Sequence, residues 1–431
     1  MAHAAGRLAA LLGEVLGGPL PLRLRAWDGS ETGPAGTPIL VVRNRRALHR
    51  LLWKPGELGL ARAWVAGDID VEGDLYEALN RMAPVVWRRD DGEQQDRIGL
   101  RDRRILGLAG RVLALAGPAL PPSPPPEEVA PHRGPAHTVR TDRQAISHHY
   151  DVGNDFYARV LGPSFVYSCG YWPDPESTLE QAQFDKLDLV CRKLALRPGQ
   201  RLLDVGCGWG SMVLHAAEHY GVSAVGVTIS VEQADLARKR VVEAGLTDRV
   251  EIRVQDYRQV ADGPYDAISS IGMAEHVGSV AYRTYAEQLF TLLRPGGRLL
   301  NHQIARRPRD DESTYHIDEF IDRYVFPDGE LQPVGSTVTL LEQAGFEVRD
   351  LESIREHYAL TLRAWVANLE RNWTEALKLV TPGRARVWRL YMAASALAFE
   401  QNAIGVNQVL AVRTAPGGVS GLPLVRAAKV S

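Results

Sequence analysis

Residues 201–210 read RLLDVGCGWG, an apolar run that ends in an acid and is followed by glycine at every second position: Gly206, Gly208, Gly210. Leu202, Leu203 and Val205 suit a buried parallel strand, and Ser211-Met212-Val213-Leu214-His215-Ala216-Ala217 suits the helix after it. Glycines at the turn between them can take positive φ and let a ligand approach the backbone without meeting a Cβ. The free N–H groups of the helix N-terminus then face that ligand. The pattern predicts a nucleoside-like cofactor seated on the loop.

The same alternation continues downstream. Ala224-Val225-Gly226-Val227-Thr228 reads as a second strand, and Val250, Ile252 and Val254 mark a third that ends before Asp256. Tyr265-Asp266-Ala267-Ile268 begins a fourth, and Arg294-Pro295-Gly296-Gly297 precedes a fifth, Arg298-Leu299-Leu300. Strands alternating with helices imply a doubly wound parallel sheet with its ligand at the carboxyl edge. The dinucleotide fingerprint is GxGxxG with an acid about twenty residues on. Here the spacing is GxGxG with Asp204 directly before it, which resembles the class I S-adenosylmethionine (SAM) methyltransferases, a Rossmann-like α/β class. SAM carries no pyrophosphate, so Asp204 can lie close to its cationic amino acid portion. Thr228 stands where many such enzymes place an acid for the ribose.

At 431 residues the chain has material for two cores. A net charge of -2 gives no global attraction to nucleic acid, and neither an (N/D)PPY tetrapeptide nor a Pro-Cys nucleophile loop is present. Cys169, Cys191 and Cys207 form neither a metal-ligand spacing nor a disulfide framework, so no metal is expected and a reducing, cytoplasmic setting is. No run is apolar for long enough to span a bilayer, and no secretory signal is evident. The stretch GPALPPSPPPEEVAPHRGP, residues 117–135, favours extended polyproline conformation. It sets the expected organisation: a smaller N-terminal α/β domain over 1–116, a linker over 117–137 and the SAM domain over 138–431. In the first of these, Ile39-Leu40-Val41-Val42 reads as a strand and Asp74-Leu75-Tyr76-Glu77-Ala78-Leu79 as a helix. Residues 97–108, RIGLRDRRILGL, mix apolar side chains with clustered arginines, either a helix lying on an anionic membrane surface or one packed on its own domain.

Polar residues cluster where the fourth and fifth strands should end, at Glu275 and at His302. Adjacent His148 and His149 do not suggest metal, because consecutive side chains diverge on a helix. The segments HHYDVGNDFY, YSCGYW, LLDVGCGWGS, GVTISVEQ, SSIGMAEHVG, LRPGG, FIDRYVFPDGEL and HYALTLRAW follow one another in this order. Together they resemble the cyclopropane-fatty-acid and mycolic-acid methyltransferase family over residues 140–412, and ARAWVAGDIDVEGDL resembles the N-terminal region of its longer members. More narrowly, LGPSFVYSCGYW, LLNHQI and FPDGELQPVG are similar to the actinobacterial methyltransferases that make 10-methyl-branched, tuberculostearic-type fatty acids.

The resemblance implies a SAM-dependent sheet with helical lid insertions, a cis-unsaturated phospholipid acyl chain as acceptor, and a bound bicarbonate as base. By motif it implies that Cys169 and Ile304 contribute backbone N–H groups to that bicarbonate and that Glu275, His302 and Tyr358 contribute side chains. For SAM it implies Tyr167, Ser168, Asp204, Gly206, Gly208, Thr228, Gln233 and Ile271, with Asp256 and Tyr257 near the adenine. A homodimer and association with the inner face of the cell membrane are further implications. Two departures stand out: Ala274 replaces an aromatic residue, and Ser395 occupies the place of a late cysteine, which argues against covalent catalysis.

An isolated alkene is a weak nucleophile, so it must be aligned with the sulfonium methyl and kept from water. Transfer leaves a carbocation, which aromatic faces such as those of Tyr171, Trp172, Tyr324 and Phe326 can stabilise. A base must then remove a proton. Loss of that proton with ring closure gives a cyclopropane, and hydride shift before its loss gives a methylene branch. The resemblance favours the 10-methylene product from an oleoyl chain, which a separate reductase would saturate. A cyclopropane synthase and a non-catalytic SAM-binding lipid-surface scaffold are the alternatives.

Overall fold

The computed structural model describes residues 3–86, 103–118, 120–130 and 152–424. The chain divides into two compact units: Met1–Pro131 with Asp318–Val325 and Val380–Leu397, and His132–Ile317 with Phe326–Leu379 and Ala398–Ser431. His148, His149, Tyr150 and Asp151, residues 97–102 of the arginine-rich segment and residues 131–137 of the proline-rich one lie outside the described residues. Arg103–Ala116 is helical.

In the first unit β1 (Arg23–Arg25), β2 (Glu31–Thr32), β3 (Ile39–Val42) and β4 (Ile69–Glu72) form a sheet of order β2-β1-β3-β4. Helices Ala4–Leu16, Arg46–Trp53 and Glu57–Val65 supply Leu8, Leu48 and Ala63 to a core shared with Leu22, Leu24 and Val42. Glu128, from the proline-rich stretch, is buried and accepts hydrogen bonds from Arg62 Nε (2.6 Å), Arg323 Nη2 (2.9 Å) and Tyr324 Oη (3.0 Å). Burial alone would raise its pKa, but the bonds from Arg62 and Tyr324 outweigh it and hold the carboxylate below its ordinary range. The proline-rich stretch and the Asp318–Val325 segment are thereby tied to this unit.

The second unit carries β5 (Arg201–Val205), β6 (Ser223–Thr228), β7 (Val250–Val254), β8 (Tyr265–Ile271), β9 (Leu293–Arg306), β10 (Gln332–Pro333), β11 (Glu347–Ser353) and β12 (Ile404–Val412). Their order is β11-β12-β9-β8-β5-β6-β7, with β10 beside β9. The run β9-β8-β5-β6-β7 is parallel, and β12 and β11 add antiparallel pairings. This is the doubly wound sheet expected from the sequence. Because side chains alternate across a strand, Leu202 and Leu203 enter different cores on the two faces. Leu202 joins Ala224, Ala267 and Leu300, whereas Leu203 joins Val225, Ile268 and Leu299.

One expectation changes. Pro295, Gly296 and Gly297 do not precede the fifth strand but lie inside it, because β9 already pairs at Leu293 with Tyr265. The register then shifts between Tyr265 and Ala267, which makes the glycine pair a bulge. A Cβ on Gly297 would stand 2.7 Å from Leu293 Cγ and 2.9 Å from Asp266 O, so only glycine fits.

Candidate active site

The glycine loop is built as the strand–turn–helix reading requires. Gly206, Gly208 and Gly210 have φ of 79°, 52° and 79°, and Gly210 caps helix Ser211–Tyr220. A Cβ on Gly206 would lie 3.2 Å from the Cβ and Sδ of Met273, so the loop is shaped by close packing as well as by φ. Above it opens a cavity. Tyr167, Ser168, Asp204, Gly206, Gly208, Thr228, Gln233, Asp256, Tyr257 and Ile271 all line it. Local bonds hold this wall in place. Ser230 Oγ caps helix Val231–Glu243 by accepting from Gln233 N (3.2 Å), and Thr228 Oγ1 donates to Gln233 Oε1 (2.9 Å). Asp256 is already engaged, since Arg258 reaches its two oxygens at 2.8 and 2.7 Å. Asp204 accepts from Ser269 Oγ (2.7 Å), and burial raises its pKa to about 6.

Glu275, His302 and Ile304 lie at the carboxyl ends of β8 and β9, and neither they nor Cys169 and Tyr358 line that cavity. Gly272 N–H donates to His302 O (2.8 Å), which joins the two strand ends. Glu275 follows on a 3-10 turn, and its Oε1 accepts from Ile304 N (2.8 Å). Along LLNHQI the pleat separates two roles. Asn301 and Gln303 face a buried polar layer, where Tyr285 Oη donates to Asn301 Oδ1 (3.0 Å) and Tyr282 Oη to Gln303 Oε1 (2.7 Å). His302 faces the opposite way and is 2 % exposed.

The tautomer of His302 follows from its neighbours. Lys193 Nζ donates to Gln408 Oε1 (2.6 Å), which turns the Gln408 amide N–H₂ towards His302 Nδ1 (3.3 Å). Nδ1 is therefore the acceptor and Nε2 carries the proton. Burial, then the nearby Lys186 and Lys193 charges, pushes the pKa of His302 well below its ordinary value, so the ring is neutral. Among the described residues, His302 Nε2 and Glu275 Oε2 are buried polar atoms without a hydrogen-bond partner. Burial pushes the Glu275 pKa up to about 7, against the N–H of Ile304, which lowers it. A donor and a proton-exchanging carboxyl left unsatisfied at a sheet edge suit a small oxyanion.

Helix Arg355–Arg371 carries Tyr358 and holds the segment that follows Cys169. Gly170 N donates to Thr361 Oγ1 (3.0 Å) and Trp172 N to His357 Nδ1 (2.9 Å). Tyr358 is buried against Phe399, with ring centroids 4.7 Å apart. The Cys169 thiol is fully buried, approaches Gly170 O (3.1 Å), and burial raises its pKa far above the ordinary value. That inert thiol leaves the residue only its backbone to offer. Tyr171 stacks on His357 at 4.6 Å, and Phe326 meets His276, a cavity-lining residue, at 5.6 Å. Tyr324 belongs to the first unit and donates to Glu128. Sequence reading missed Lys186, Trp209 and Met273 in the cavity wall and Gln408 behind His302. Trp209 sits inside the glycine loop and Met273 just after β8, whereas nothing in the local sequence of Lys186 or Gln408 distinguishes them.

Comparison with known proteins agrees with this geometry. Residues 137–409 match the family model described as mycolic acid cyclopropane synthetase. The chain is 44% identical over 418 residues to the probable fatty acid methyltransferase Rv3720 of Mycobacterium tuberculosis, covering 94% of each chain. It is 33% identical over 408 residues to the tuberculostearic acid methyltransferase UfaA1 of the same organism, covering 92% of this chain and 89% of that one. The crystal structure of mycolic acid cyclopropane synthase CmaA1 complexed with SAH and CTAB superposes with a TM-score of 0.59 at 32% identity, over 63% of this chain and 98% of that one. The glycine cradle, the cavity above it and the polar pair at the sheet edge thus sit in a chain that belongs to the mycolic acid cyclopropane synthetase family, and the protein is a SAM-dependent methyltransferase of the lipid-modifying kind.

Proposed function

We propose that the protein methylates the cis double bond of an oleoyl-type acyl chain carried on a phospholipid, giving a 10-methylene-branched chain that precedes a tuberculostearic-type fatty acid. The observation that carries this reading is that His302 Nε2 and Glu275 Oε2, at the ends of β9 and β8, are each buried without a hydrogen-bond partner among the described residues. An alkene has no proton to lose before methylation and must lose one after it, so its site needs a base poised near the incoming methyl. Likeness to a tuberculostearic acid methyltransferase over almost the whole chain supports the choice of product.

Bound SAM supplies an electrophilic methyl on its sulfonium. Tyr167, Ser168 and the Gly206–Gly208 loop would hold its methionine end, Asp204 its ammonium, and Thr228, Gln233, Ile271, Asp256 and Tyr257 its nucleoside. A bicarbonate supplies the proton acceptor. His302 would donate to it through Nε2–H and Glu275 would share a proton with it, while Tyr358 and the backbone N–H groups of Cys169 and Ile304 complete the cradle. The N–H of Ile304 is bonded to Glu275 here, so Glu275 must shift for Ile304 to take that part. Because Glu275 ionises near pH 7, it can accept an anion as neighbour without full charge repulsion.

Among the described residues no helix is long and apolar enough to cross a membrane. Peripheral association with the inner face of the cell membrane would bring the acyl chain to the site, and saturation of the methylene then falls to a separate reductase. A homodimer remains part of this reading. The test is methylation of dioleoyl phospholipid vesicles by purified protein and SAM, with ozonolysis of the product. Cleavage at the new branch supports the methylene, an ozone-resistant product would make the enzyme a cyclopropane synthase, and SAM binding without turnover would leave only a scaffold.

A further inference from the structure

Lys186 lies on helix Leu179–Leu194, is 1 % exposed, and belongs to the wall of the cofactor cavity. Its Nζ donates to Ser168 Oγ (3.0 Å), and among the described residues it makes no ion pair. Three residues earlier on the same helix, Gln183 Nε2 donates to Ser168 O (2.9 Å), so the helix grips Ser168 from two positions. Burying an ammonium is expensive unless an anion meets it. Burial lowers the Lys186 pKa only to about 8, partly because Asp204 favours its charge, so the ammonium persists at neutral pH. The ammonium keeps two N–H donors beyond the one given to Ser168, and the Ser168 hydroxyl, having accepted from it, keeps its own hydrogen to donate. Asp204 lines the same cavity and supplies the opposite charge.

The wall's other buried carboxylate, Asp256, is clasped by Arg258, which leaves Lys186 and Asp204, not ion-paired to each other, to complement a zwitterion. We infer that Lys186, with the Ser168 hydroxyl, binds the α-carboxylate of the methionine portion of SAM, leaving Asp204 for its ammonium. The oxyanion cradle is the other conceivable partner, but Lys186 lines the cofactor cavity, whereas the side chains of Glu275, His302 and Cys169 do not. The inference rests on the SAM site described above and deepens it by assigning the residue that reads the amino acid end.

Calorimetric binding to the full-length protein tests it without turnover. The probes are S-adenosylhomocysteine (SAH), its decarboxylated analogue and 5′-methylthioadenosine, which lacks the amino acid portion. Wild type should prefer SAH over decarboxylated SAH by roughly tenfold to a hundredfold, the range of a buried charge-assisted hydrogen bond. Lys186→Met should weaken SAH by the same factor and leave the decarboxylated analogue and methylthioadenosine unchanged, which removes the preference. A wild type indifferent to the carboxylate, or a K186M protein that keeps the preference, overturns the assignment. Equal loss of all three ligands in K186M makes Lys186 a structural residue and overturns it too. Failure of wild type to bind any of the three would instead sink the SAM site itself, a distinguishable result.

Discussion

Replacing Glu275 by Gln should stabilise the protein while disabling it. Glu275 is buried, its Oε2 lacks a partner among the described residues, and its pKa rises from 4.5 to about 7. Between these values the folded state binds a proton that the unfolded chain releases, so stability falls as pH rises through the window and the loss is complete above it. At 1.36 kcal/mol per unit, the ionised carboxylate costs the folded state on the order of 3 kcal/mol above pH 8, and nothing below pH 4.5. Gln keeps the acceptor for Ile304 N and never ionises. Thermal melts of wild type and E275Q should therefore nearly coincide at pH 5 and separate at pH 8.5. The variant should melt roughly 5–10 °C higher there, as expected for a unit of this size. Methyl transfer, followed as SAH release, should fall by roughly a hundredfold for loss of a proton-handling group. Coincident melts at both pH values, or a less stable variant at pH 8.5, would refute the reasoning that Glu275 sits ionised at a cost.

Three further outcomes are expected. Gly206→Ala places a Cβ at a φ of 79° and 3.2 Å from Met273, at a cost of ~1–2 kcal/mol, and should weaken SAH binding roughly tenfold by calorimetry. Gln408→Leu removes the donor to His302 Nδ1 while Lys193 keeps Glu352 at 2.6 Å. The ring can then carry its proton on Nδ1, so turnover should drop about tenfold with SAH affinity intact, and the ¹⁵N shifts of His302 should report the changed tautomer. Cys169, Cys191 and Cys207 are buried with thiol pKa values pushed up, so iodoacetamide at pH 8 should leave activity unchanged and label the thiols only after denaturation. Rapid inactivation of the native protein would contradict that.

The parallel strands were legible because burial on both faces writes them as apolar runs, and Leu202–Val205 and Ala224–Thr228 are such runs. The Pro295-Gly296-Gly297 bulge reads as lying before the strand because its local composition does not favour a strand, and only pairing with β8 places it inside. Lys186 carries no local sequence signal; its role shows only where the fold sets it against Ser168 in the cavity wall. The tautomer of His302 depends on Gln408, which lies opposite it across the β9–β12 ladder, and on Lys193 from another helix. The family resemblance implies Asp256 near the adenine, and two residues on, Arg258 already clasps its carboxylate. Segments 318–325 and 380–397 follow the first unit although chain order would put them in the second.

The most direct measurement supplies trideuteromethyl SAM and dioleoyl phospholipid to the purified enzyme and weighs the intact acyl chain. Methyl transfer to an alkene followed by removal of a methyl proton leaves two of the three deuteriums in the product, whether it is a methylene or a cyclopropane. Retention of two deuteriums in the acyl chain is the expected result. Retention of all three would mean that the methyl loses no proton, and label in the head group would mean methylation of a heteroatom; either result would contradict the alkene chemistry assigned to Glu275 and His302.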